Sequence, residues 1–118
     1  MRFPLLAIAG LALAGSVSIP DPDLTTVRGD LRRLLAAQET YFSDHNSYAA
    51  DFAALKFSPS DSVTIKITEF HPASYAAAGF VKGKETASCV YFINQVSSIP
   101  RTAKGKAAEA EGGVMCDE

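Results

Sequence analysis

Two cysteines and two histidines are the side chains of this chain best suited to reactive chemistry, and their spacing limits what that chemistry is. Cys89 and Cys116 stand far apart, and His45 and His71 fall at no ligand interval from them or from each other. A structural zinc site draws its cysteines and histidines from short, regular intervals. A catalytic thiol needs a neighbour that lowers its pKa, and the sequence names none. Asp44, His45 and Asp51 lie close together, but a calcium loop requires oxygen ligands at alternate positions and a glycine for its tight turn. Ser60 and Ser62 flank Asp61 without the glycine-flanked elbow of a serine hydrolase. No glycine-rich phosphate loop occurs. The sequence therefore predicts no catalytic residue, no metal ligand and no cofactor, and leaves the cysteine pair a structural role.

That role depends on compartment. Met1-Arg2 is followed by an apolar run from Phe3 to Ala14, and Ala12-Leu13-Ala14 supplies small residues where a signal peptidase inspects them. The run is too short for a bilayer core of roughly 30 Å, which takes about 20 apolar residues as helix. We expect residues 1–14 to be a signal peptide cut after Ala14, leaving no stable membrane span. Export to the periplasm or cell surface would oxidise Cys89 and Cys116 into a disulfide. By loop-closure entropy, such a bridge stabilises the fold by about 3–4 kcal/mol.

The elements that carry these residues follow from periodicity. Residues 15–23, with Pro20 and Pro22, read as a linker. Leu24, Val27, Leu31, Leu34, Leu35, Tyr41 and Phe42 recur at helical steps, predicting one amphipathic helix over about 24–43. Asp23 or Thr25 is placed to cap it, and Arg28, Arg32, Arg33 and Glu39 are expected in water. Gly29 weakens the first turns by about 1 kcal/mol relative to alanine. A polar turn over 43–47 leads to Tyr48 and a short helical turn ending at Leu55. Tyr41, Phe42, Tyr48 and Phe52 are expected to pack as core rather than form an exposed aromatic patch.

Val63, Ile65 and Ile67 alternate with polar residues, predicting a strand. Ser74 to Lys82 predicts a second, in which Gly79 marks a bulge or a close approach to the helix. Lys82-Gly83-Lys84-Glu85 is a turn, and Thr86 to Val96 a third strand. With no helix between them, these strands must run as an antiparallel meander. Residues 97–113, rich in Pro, Gly, Ala, Lys and Glu, read as a mobile surface loop, with Ala107 to Glu111 open to a single helical turn. The expected fold is one α+β domain over residues 24–118, a helix on a three- or four-stranded antiparallel sheet.

The formal net charge is −2, and the basic groups (Arg32-Arg33, Lys82 with Lys84, Arg101 with Lys104 and Lys106) do not alternate with aromatics as a single-strand nucleic-acid groove requires. No nucleic-acid partner is expected.

Leu31 to Phe42, Asn46 to Leu55, Phe57-Ser58-Pro59, the strand Val63 to Thr68, and Thr86 to Val90 with the late Cys116 together resemble the globular head of type IV pilins and type II secretion pseudopilins. The resemblance spans roughly residues 24–118. It implies the C-terminal half of a long helix packed across an antiparallel sheet, with a disulfide-bounded C-terminal segment that contacts neighbours or ligands. Pro100, Arg101, Lys104 and Lys106 are the residues it nominates for that contact. One departure is large: the sequence lacks the Gly-Phe-Thr-Leu-Ile-Glu junction and the long apolar helix with which pilins polymerise. The chain thus looks like a pilin head on an ordinary signal peptide, unless its coding start lies upstream. A non-enzymatic structural or interaction role follows, with pilus, secretion-filament or other envelope proteins as partners, and the isolated protein monomeric or weakly associated. The alternative is a periplasmic ligand-binding module or small enzyme on the same scaffold.

Overall fold

A computed structural model describes residues 22–117; Ala14, the predicted signal peptide and most of the predicted linker lie outside them. Helix α1 runs Pro22–His45 and the one-turn helix α2 runs Phe52–Leu55. Strands β1 (Val63–His71), β2 (Ser74–Val81), β3 (Lys84–Ile93) and β4 (Met115–Cys116) form a single antiparallel sheet in the order β1-β2-β3-β4. The α+β meander expected from the sequence is present.

The boundaries differ in instructive ways. α1 starts two residues before the expected position because proline is tolerated in a first helical turn, where its missing N–H has no partner to lose. Pro22 and Asp23 thus belong to the helix and not to a linker. At the other end, Ser43, Asp44 and His45 continue the helix until Asn46 takes the left-handed conformation at φ 58°. Its N–H donates to Phe42 O at 2.7 Å, satisfying one of the last carbonyls. β3 stops at Ile93 rather than Val96 for a similar reason: Asn94 sits at φ 59°.

Leu24, Val27, Leu31 and Leu34 bury the apolar stripe of α1 against the inner sheet face, where Val63, Ile65, Tyr75, Ala77, Tyr91 and Cys89 receive it. The closest approach is at Gly79. A β-carbon there would lie 2.8 Å from Val27 Cγ1 and 3.3 Å from Leu31 Cγ. The glycine in β2 is therefore a helix-contact residue, one of the two readings its sequence position allowed. Gly83, at φ 81°, turns the hairpin between β2 and β3.

Tyr41 is a correction. It was expected in the core with Phe42, but it stacks on His45 (ring centroids 4.0 Å apart) at the helix end and stays outside the buried cluster. The aromatic core instead runs from Phe42 to Tyr48 to Tyr75 to Tyr91, with centroids 4.6, 4.9 and 5.6 Å apart. The hydroxyls of Tyr75 and Tyr91 share a buried hydrogen bond of 2.7 Å. Burial pushes both phenols upward in pKa. Tyr48, covered and bonded through its hydroxyl to Glu39 Oε2 at 3.0 Å, is pushed up to about 12, by burial first and Glu39 second.

Two buried polar side chains tie the connection after α1 to the helix. Gln38 is 0% exposed; its amide donates to Ala49 O at 2.7 Å and accepts from Ala49 N–H at 2.8 Å. Asp30 accepts from Ser60 N–H at 2.7 Å, from the Ser60 hydroxyl at 3.0 Å and from Arg33 at 2.9 Å. Burial alone would raise its pKa, but those bonds outweigh it and the net shift is downward. Arg33, expected in water, also donates to Ser58 O and lies 4.8 Å from the Phe57 ring centroid.

Cys89 and Cys116 are bonded, with Cα atoms 4.0 Å apart as direct partners across β3 and β4. Both are buried. The disulfide closes 27 residues of chain and ties the two-residue strand β4 to β3. No helix among the described residues is long and apolar enough to cross a membrane.

Candidate functional site

The segment between the cysteines, expected to be a mobile loop, is packed against the outer face of the sheet. The reason starts in β1. Val63, Ile65 and Ile67 face inward, so strict alternation would place Glu69 under the helix. A bulge between Ile67 and Glu69 shifts the register, pairing Ile67 with Ala77 but Glu69 with Ala76. An extra residue in one strand reverses which way the following side chains point. Glu69 consequently reaches the outer face while Phe70 turns inward against the core.

There Glu69 grips the start of the segment. Ser97 N–H donates to its Oε2 at 2.6 Å and Ser98 N–H to its Oε1 at 3.3 Å, while His71 Nε2 lies 2.8 Å from Oε2. The Ser97 amide first, and then His71, hold the carboxyl down at a pKa of about 2.

Residues 101–107 then form a miniature hairpin. Arg101 bridges Ala107, Thr102 N–H donates to Lys106 O at 2.8 Å, and Gly105 turns the chain at φ 90°. Arg101 Nη1 donates to Gly105 O at 3.0 Å, which fixes the guanidinium within the hairpin. Underneath, Thr102 and Ala108 are buried, and Ala108 joins Ala78 and Val90 in a second apolar cluster. Ala103 N–H donates to Ser88 Oγ at 2.7 Å, and the Ser88 hydroxyl in turn contacts Asp117 Oδ2 at 3.3 Å. Ser88 precedes Cys89 and Asp117 follows Cys116, so the hairpin is anchored on the disulfide itself. No helical turn forms over 107–111; Gly113 N–H closes a turn onto Ala110 O instead.

Of the residues nominated for contact, Arg101, Lys104 and Lys106 are exposed on this hairpin and Pro100 is half-buried at its base. The fold brings all four together. Beside them Ile99 is 44% exposed, the one large hydrophobic so exposed among the described residues. Between this lip and β1 lies a trough of 380 Å³ bordered by Glu69, Ile99, Pro100 and Arg101 and lined also by Ala78 and Val90.

Asp51 and His45 have local partners. Asp51 caps α2 by accepting from Ala54 N–H at 2.8 Å. His45 Nδ1 lies 3.1 Å from Tyr41 O. Among the described residues no three His, Cys, Asp or Glu side chains converge as a metal site would require. The Glu69 clasp was not anticipated from the sequence, although Phe70 following Ile67 by three positions already signals a break in the strand's two-residue period. Compared with known proteins, the chain matches no family model and none of the curated proteins.

Proposed function

We propose that this is an exported, pilin-like structural or protein-interaction module, without enzymatic activity, that presents the segment between Cys89 and Cys116 to a partner in the cell envelope. One observation carries the reading: the segment is built as a fixed display. The disulfide, Glu69 and Ser88 hold its backbone, while Ile99, Arg101, Lys104 and Lys106 face outward. A chain that spends a disulfide and a buried hydroxyl on an external hairpin is holding a surface in shape, which lowers the ordering cost of association. The disulfide is compatible with export. A pilus or secretion filament is the partner that the resemblance favours.

Photo-crosslinking from residue 104 in the native envelope tests this. A discrete cross-linked protein, lost when the probe is moved to exposed Ser43 on α1, is expected. Equal labelling from both positions, or full-length protein retained in the cytoplasm with Met1 intact, would overturn it.

A further inference from the structure

We propose that the trough beside Ile99 is a peptide-binding subsite, taking an extended partner segment in which an apolar residue stands next to a carboxylate. This deepens the proposed function and rests on it. The trough has the volume of a small ligand site, at 380 Å³. It exists because Ala78 of β2 pairs with Val90 of β3, and neither side chain is long enough to fill the space below Ile99 and Pro100.

Charge selects the occupant. One carboxylate, Glu69, and one guanidinium, Arg101, border the trough, and their surroundings differ. Glu69 is engaged by two backbone N–H groups and His71. Arg101 makes one hydrogen bond, to the neutral carbonyl of Gly105. A guanidinium has five N–H donors in a rigid fork matched to a carboxylate. Exposed Lys104 adds a second positive charge on the same hairpin. The apolar wall offers burial and the cationic lip offers an anion partner, so the shared ligand chemistry is an apolar stem bearing a carboxylate.

A partner polypeptide is favoured over a free fatty acid because the trough is partly open to solvent and does not enclose its occupant as a buried acyl chain requires.

The test uses the oxidised exported chain and an acetylated, amidated hexapeptide of alternating leucine and aspartate, followed by amide chemical shifts. Shifts are expected at Thr68, Ala78, Val90 and Ile99 to Arg101, with Kd in the high micromolar range. Replacing the aspartates by asparagine should weaken binding about tenfold, as should Arg101→Gln; Ile99→Ser should weaken it severalfold. Both substituted residues are exposed, and retained shift dispersion would show the fold intact. Hexanoate binding with no response to the peptide would replace the proposal by a fatty-acid site. No shifts in the trough with either probe would overturn it. Envelope cross-links from residue 104 that persist unchanged in Arg101→Gln and Ile99→Ser would leave the proposed function standing and remove this subsite alone.

Discussion

Gly79→Ala is the sharpest available test of how the helix is seated on the sheet. The added methyl would lie 2.8 Å from Val27 Cγ1 and 3.3 Å from Leu31 Cγ. Carbon atoms pack at about 3.5–4.0 Å, so something must move by roughly 0.7 Å or more. Val27 cannot rotate away, because a β-branched side chain in a helix has one strongly preferred rotamer and this one is fully enclosed. The helix must lift, loosening Leu24 and Leu31 as well. Such overpacking costs about 1–3 kcal/mol, offset in part by about 0.4–1 kcal/mol from the stiffer unfolded chain. We expect a net loss of about 1–2 kcal/mol, read as a lower urea midpoint at unchanged slope by circular dichroism with the disulfide intact. Gly29→Ala is the matched control. Nothing lies within 4 Å of its β-carbon, so the same change should there stabilise by about 1 kcal/mol. In Val27→Ala/Gly79→Ala the clash is gone, and the double variant should be more stable than the sum of its parts by about 1 kcal/mol. A neutral Gly79→Ala, or strict additivity, would refute the packing argument.

Two further outcomes are expected. Gln38→Met keeps the volume but leaves Ala49 N–H and C=O unpaired in the core, at a cost of about 2–4 kcal/mol by denaturant unfolding; a loss under 1 kcal/mol would mean the 46–51 connection is held by its aromatics instead. The Glu69 clasp should depend on acid pH. Its carboxyl falls from an ordinary 4.5 to about 2 in the folded chain. A depressed carboxylate stabilises fully above its unfolded value and loses that contribution as pH falls toward the folded one. Amide exchange at Ser97 and Ser98 should therefore accelerate as pH drops from about 4.5 to 2 relative to that of β3, and Glu69→Gln should abolish the difference. Protection that stays constant through that range would remove Glu69 as the anchor.

Periodicity exposed the helix and the strands, and simple pairing rules the meander and the cysteine pair, because each acts along the chain. What it could not expose were choices made between segments. Gln38 reads as a surface glutamine in a helical pattern, and only its meeting with the Ala49 backbone makes burial tolerable. Asp30 is hidden for the same reason: its partner Ser60 is thirty positions away. Residues 97–113 looked solvated because their composition is small and charged. Yet small residues are what allow backbone to lie flat on a sheet, as Ala103 and Ala108 do over Ser88, Ala78 and Val90.

The same logic makes β2 the strand on which both faces of the molecule depend. Its run Ala76-Ala77-Ala78-Gly79 has little side chain to bury. Inward, Ala77 and Gly79 leave room for Val27 and Leu31, so the helix approaches closely and the core fills. Outward, Ala76 and Ala78 leave the floor low beside the segment that Glu69 holds at Ser97 and Ser98. Larger residues at the inward positions would push the helix off; a larger residue at 78 would fill the trough and press on Ala108 of the hairpin. The seating of the helix and the shape of the candidate surface are thus set by alternate residues of one strand, so substitutions at 77 and 79 should disturb α1 where those at 78 disturb the hairpin and the trough.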